Sequence, residues 1–113
     1  MKETRLAWKV VRKSRRAYVS CMESTPLARV IYCKGKKANR RKNMGPLAGF
    51  DTRRNARYFM KYHSAGTESV LFRCEAELSD DICLWDEYRT LPAHVLCPGT
   101  LYCDSIKLLW RAE

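Results

Sequence analysis

Lys34, Lys36, Lys37, Arg40, Arg41 and Lys42 put six cationic side chains into the nine residues "KGKKANRRK". Ammonium and guanidinium groups at this density suit one task above others, the neutralisation of phosphates with release of counterions, which needs no motif beyond clustering. Gly35 and Asn39 within the run let the backbone bend around such groups. A second cationic set, Arg54, Arg57 and Lys61, follows at helical spacing, with Arg53 and Tyr58 beside it. Tyr58 and Tyr62, with Tyr18 or Tyr32, offer ring faces on which bases stack. Arg12, Lys13, Arg15 and Arg16 add a third set. The same run also reads as a solvated loop, and its substitution distinguishes the two.

Other chemistry is weakly represented. His94 lies three residues before Cys97, the one spacing at which a thiol and a base could pair in a small transferase or hydrolase. His63 falls on the apolar phase of the helical segment, where a histidine packs rather than catalyses. Glu75 and Glu77 share one face of an alternating segment, as solvated strand carboxylates do. The six cysteines, Cys21, Cys33, Cys74, Cys83, Cys97 and Cys103, are separated by 11, 40, 8, 13 and 5 residues. None forms the Cys-x2-Cys knuckle of a zinc site, and the nearest ligand cluster is His94 with Cys97 and Cys103. The sequence has no Gly-x-Gly-x-x-Gly or Gly-x4-Gly-Lys phosphate cradle. The expectation is reduced structural thiols, no metal, no cofactor and no catalytic residue.

These groups must be carried by a fold of 113 residues, a length that suits one domain over 1–113 with an ordinary apolar core. Apolar residues make up 46% and aromatics 11%, which excludes a disordered chain despite the net charge of +10. Charge is uneven: residues 1–62 hold 18 Lys/Arg against 3 Asp/Glu, and residues 63–113 hold 4 against 9. A net of +15 beside a net of −5 reads as a polyanion-binding face backed by an acidic one, or as two halves that interleave and neutralise one another. No apolar stretch is long enough for a membrane span, and the first residues lack a secretory signal pattern. A cytoplasmic protein is expected.

Alternation predicts strands at "LAWKVV" (6–11), "LARVIYCKG" (27–35), "ESVLFRCEAEL" (68–78) and "LYCDSIKLLW" (101–110), with a shorter one at "GPLAGF" (45–50) and an edge strand after the basic turn at 12–16. "MESTP" (22–26) carries turn chemistry. "DTRRNARYFMKYHSAG" (51–66) predicts a helix over about 52–65, capped by Asp51 or Thr52, ended by Gly66, and packing through Ala56, Phe59, Met60 and His63. "SDDICLWDEYR" (79–89) reads as one or two helical turns capped by Ser79, and "LPAHVLCPGT" (91–100) as loop. The fold class is α+β: a largely antiparallel sheet of four to five strands with one principal helix on one face.

The succession "WKVV", "VIYCKGK", "GPLAGFDTRRNARYF", "VLFRCEAEL" and "PGTLYCDSIKLL" resembles a loose group of small phage- and virus-encoded accessory proteins. That resemblance implies interference with host machinery or defence, including small inhibitors of the anti-CRISPR type, and brings no catalytic residues with it. The functional expectation is a non-enzymatic protein whose basic face engages nucleic acid or a host nucleoprotein complex in the host cytoplasm. The rival binding reading is a protein–protein inhibitor of a host factor without nucleic-acid contact.

Overall fold

The computed structural model describes residues 3–22, 28–63 and 68–112. Its elements are β1 (Thr4–Ser14), β2 (Ala17–Ser20), β3 (Ile31–Tyr32), β4 (Lys37–Asn39), β5 (Leu47–Phe50), α1 (Arg53–His63), β6 (Ser69–Leu78), β7 (Cys83–Trp85), β8 (Thr90–Pro92) and β9 (Thr100–Arg111). The class is α+β, with one helix and mostly antiparallel strands among the described residues. The main sheet carries seven strands, the short β3 and β4 extending the framework that alternation marks out.

The three long strands set the architecture. β6 lies between β1 and β9, antiparallel to both, while β5 bonds to the far sides of β1 and β9. The pairing β1–β6–β9–β5 therefore returns to β1, and the sheet closes on itself. Irregularities in the β6–β9 register at Arg73/Cys74 and Glu77/Leu78 supply the local bends that such closure requires. β2 and β3 continue from β1, and β4 pairs with β9 beyond β5.

Closure gives the sheet an inside and an outside, and both are apolar in places. Ala7, Val11, Phe72, Cys74, Cys103 and Ile106 fill the inside with Tyr32 and Leu108. Outside, Val10, Phe50 and Leu71 form a second cluster with Ala56 and Phe59 of α1. Strand period two thus serves two cores: odd positions of β1 point inward and Val10 points to the helix.

The helix begins where its cap predicts. The hydroxyl of Thr52 accepts the amide of Asn55 at 3.1 Å, and Asn55 Nδ2 donates to Asp51 Oδ1 at 2.9 Å. Gly99 supports this turn, since its carbonyl accepts the Asp51 amide at 2.9 Å and a Cβ there would collide with Asp51 and Asn55. The described helix ends at His63, and residues 64–67, with the expected Gly66 stop, lie outside the described residues, as does most of "MESTP".

Four expectations are corrected. His63 is exposed rather than buried: its ring lies near-parallel to that of Phe59 on the same face, 6.1 Å between centroids, but at the last described residue of the helix, where only Ala56 and Phe59 reach the core fully. The 27–35 strand is reduced to Ile31–Tyr32, because the chain turns at once, with the Lys36 amide on the Cys33 carbonyl at 3.0 Å. Residues 79–89 form no helical turn. The Ser79 hydroxyl accepts the Asp81 amide at 3.1 Å, and β7 pairs with β8 through a turn in which Asp86 Oδ1 accepts the amides of Tyr88 and Arg89 at 2.8 and 3.0 Å. Asx and Ser turns competed with the helix and won. "LPAHVLCPGT" likewise carries β8 and a 3-10 turn at Ala93–Val95.

Candidate functional site

The run at 34–42 is split by the strand it contains. Lys34 and Lys36 flank Gly35 in the turn before β4, exposed and without an ion pair to any described residue. Gly35 takes a left-handed φ of +81° with open space around it, as a projecting turn demands. Lys37 lies in β4 and reaches Glu77 at 3.5 Å.

Arg40 departs from the phosphate-binding expectation. Its guanidinium contacts Asp81 at 2.7 Å and Asp104 at 3.0 Å, donates to the Met44 carbonyl at 2.9 and 3.1 Å, and packs 5.9 Å from the Trp85 ring centroid. With two carboxylates already on its guanidinium and one of its five N–H donors left over, Arg40 serves the fold before it serves a phosphate. Arg41 and Lys42 are exposed, but at the far end of β4, where Arg41 Nε donates to the Arg29 carbonyl at 3.2 Å. Gly35 bonds to Leu108 and Arg40 to Asp104, four residues along β9, so about 13 Å separates the two halves of the run.

The strand register assembles a different cationic group. Ser14 pairs with Ala17, and Tyr18 with both Lys13 and Tyr32. The Arg15–Arg16 turn and the Cys33–Lys36 turn therefore leave the same end of neighbouring strands. Lys13, Arg16 and Lys34 fall within two strand spacings, roughly 10 Å. Arg15 holds a left-handed φ of 58°, which closes the tight turn between β1 and β2. Nothing in residue spacing brings 13–16 together with 34–36; the antiparallel register does.

The helix residues Arg54, Arg57, Tyr58 and Lys61 are exposed, as expected from their phase, and α1 lies over β1, β5 and β6 rather than beside β4. Tyr58 and Tyr62 meet at 4.8 Å between centroids with their planes tilted by 51°, and Lys61 lies 5.2 Å from the Tyr62 ring. The other proposed stacking residues are structural. Tyr18 meets Phe72 edge-on at 5.0 Å, and Tyr32 is buried inside the sheet.

A further group escaped the sequence reading. Lys9, on the inward phase of β1 between Ala7 and Val11, is 2% exposed. Its ammonium donates to Ser20 Oγ at 2.9 Å and to the Ala48 carbonyl, and lies 5.3 Å from the centroid of the Tyr32 ring. No described carboxylate pairs with it. Burial pulls its pKa from 10.5 down to about 8. Burial also pushes the neighbouring thiols up, Cys74 to about 12 and Cys103 to about 11, so neither supplies a thiolate counterion near neutrality. Lys9 opens onto a cavity of about 790 Å³ bounded by β1, β5, the end of α1, the β7–β8 hairpin and the 93–98 segment.

His94 and Cys97 line that cavity without forming a catalytic pair. His94 is exposed in the 3-10 turn, no hydrogen bond joins the two among the described residues, and burial raises the Cys97 thiol. A nucleophilic cysteine needs the opposite shift. The six cysteines are free thiols, and no cluster of three metal-ligand side chains occurs among the described residues. No helix among those residues is long and apolar enough to cross a membrane.

No protein-family model, curated protein or solved structure matches this chain.

Proposed function

We propose that this protein acts by occupancy, binding nucleic acid through a basic surface at one end of its closed sheet. The observation that carries the reading is the convergence of the Lys13–Arg16 and Lys34–Lys36 segments, two cationic stretches distant in sequence, on adjacent strand ends. Both turns project exposed side chains, and Lys13, Arg16, Lys34 and Lys36 have no acidic partner among the described residues. Phosphate contacts of this kind fix affinity without reading sequence. Arg54, Arg57 and Lys61, with Tyr58 and Tyr62 beside them, give the helix an exposed cationic face of its own. The resemblance to phage accessory proteins suggests a host nucleoprotein as the setting, with the protein occupying its nucleic-acid groove or the nucleic acid itself.

The test is binding to a fluorescent duplex and to a single strand across a salt series. If about five phosphates are neutralised, affinity for duplex falls roughly 500-fold between 50 and 200 mM salt. Absence of binding at the low-salt end overturns the reading and favours an inhibitor that contacts protein alone.

A further inference from the structure

We propose that the cavity above Lys9 is a binding site for a small organic carboxylate with an apolar or aromatic body. This goes beyond the polyanion surface and uses different residues. Three observations lead to it.

First, the ammonium lies among groups that line the cavity. Ser20, Ala48 and Tyr32, the three groups that hold it, all line the same space as Lys9 itself. A cavity of about 790 Å³ is in the size range that encloses small organic ligands.

Second, Lys9 and Ser20 have unspent donors matched to a carboxylate. Two of the three ammonium protons are used, on Ser20 Oγ and the Ala48 carbonyl. Ser20 Oγ in turn accepts from Lys9 at 2.9 Å and from the Met22 amide at 3.1 Å, which leaves its own proton to donate. One ammonium proton and one hydroxyl proton, on atoms 2.9 Å apart, suit the two oxygens of a single carboxylate. A buried cation with no described carboxylate beside it is costly, and a ligand anion would supply the missing charge.

Third, the walls fit the rest of such a molecule. Phe59, Leu84, Trp85, Leu91 and Leu96 give apolar and aromatic surface, and the cationic Arg12, Arg29 and Arg89 line the same cavity. The ligand class is therefore an organic carboxylate that enters carboxylate first.

The experiment uses 4-phenylbutyrate and its uncharged amide as probes, with binding followed by backbone amide shifts of the full chain. The acid is expected to bind at least about tenfold more tightly than the amide, roughly 1.4 kcal/mol. The shifts should centre on Lys9, Ser20, Ala48 and Trp85. Lys9→Met, which keeps the volume of the side chain, should bind acid and amide equally, and Ser20→Ala should weaken the acid alone. Lys34→Ala with Lys36→Ala should leave acid binding unchanged, which separates this site from the basic surface. Equal binding of acid and amide by the wild type, a preference that survives Lys9→Met, or no binding of either probe at about 10 mM overturns the proposal.

Discussion

Arg40 and Asp104 are joined twice: the Arg40 amide donates to the Asp104 carbonyl at 2.8 Å, and the Arg40 guanidinium meets the Asp104 carboxylate at 3.0 Å. The same guanidinium binds Asp81 and the Met44 carbonyl, so one side chain fastens β4, the 79–81 turn and the approach to β5 onto β9. Arg40→Ala leaves two carboxylates facing each other without their cation. It is expected to lower unfolding free energy by about 2 kcal/mol, discounted from a fully buried pair because the guanidinium retains some solvent contact. Arg40→Lys should recover little, since one ammonium cannot span the set of acceptors. Lys42→Ala, two residues on and exposed, should change stability by under about 0.5 kcal/mol. Urea unfolding of the three variants checks this, and equal midpoints for Arg40→Ala and Lys42→Ala would return Arg40 to the solvated run.

The helix supplies a second contrast. Phe59 is buried against Phe50 at 5.2 Å between centroids, so Phe59→Ala should cost about 3–5 kcal/mol. Arg54→Ala, on the exposed face, should cost under about 0.5 kcal/mol. A costlier Arg54 in thermal or chemical unfolding would mean that the face carrying Tyr58 and Lys61 is the one that packs.

What the sequence disclosed and what it hid follow one physical rule. β1, α1, β6 and β9 are long enough for their apolar period to show, and Thr52 caps its helix through a contact three residues away. Features made by long-range pairing were not legible. The Arg40 cluster joins residues 40, 81 and 104, and the cationic end joins 13–16 with 34–36. Lys9 was hidden for a further reason. Alternation in β1 sets Leu6, Trp8 and Val10 against Ala7, Lys9 and Val11 without saying which face is inside, and closure of the sheet encloses the second face with its lysine. Residues 83–92 form a hairpin whose strands of three residues are too short to display a period.

The division of the basic run makes a third expectation. Lys13, Arg16, Lys34 and Lys36 replaced together by alanine should weaken duplex binding and flatten the slope of log affinity against log salt by about 3 to 4, near 0.9 for each phosphate no longer neutralised. Arg15 is left in place because its left-handed backbone closes the turn between β1 and β2. Arg41→Ala with Lys42→Ala should reduce the slope by far less, since those residues sit at the other end of β4. An equal loss from both sets would show that total charge, rather than the assembled end, governs binding. Melting temperatures of all variants should stay near wild type, as no acidic partner of these side chains is left behind among the described residues.

The last expectation concerns Lys9 and alkaline pH. At neutral pH its ammonium is buried without a described carboxylate, so Lys9→Met should stabilise the protein by up to about 3 kcal/mol, less the cost of taking the donor from Ser20 Oγ and the Ala48 carbonyl. The gain must then shrink as pH rises. Folded Lys9 releases its proton near pH 8, and in the unfolded chain the same group holds it to about 10.5. Between those values the unfolded state binds more protons, and wild-type stability contributed by this group rises with pH. Over the full interval the rise is about 3 kcal/mol, at about 1.4 kcal/mol per pH unit. Other groups act in the opposite sense: Cys74, Cys103 and Tyr32 keep their protons in the folded state beyond their unfolded values, and their stabilisation is lost as pH climbs. The Lys9 charge lowers the Cys74 and Cys103 pKa values in turn, so the difference between wild type and Lys9→Met reads the lysine together with its coupling to those thiols. Urea unfolding under reducing conditions, at intervals from pH 7 to about 10, should show the advantage of the methionine variant flat below pH 8 and closing above it. A difference that stays constant across the whole range would mean that Lys9 titrates as a solvated side chain, and the closed interior would not be its environment.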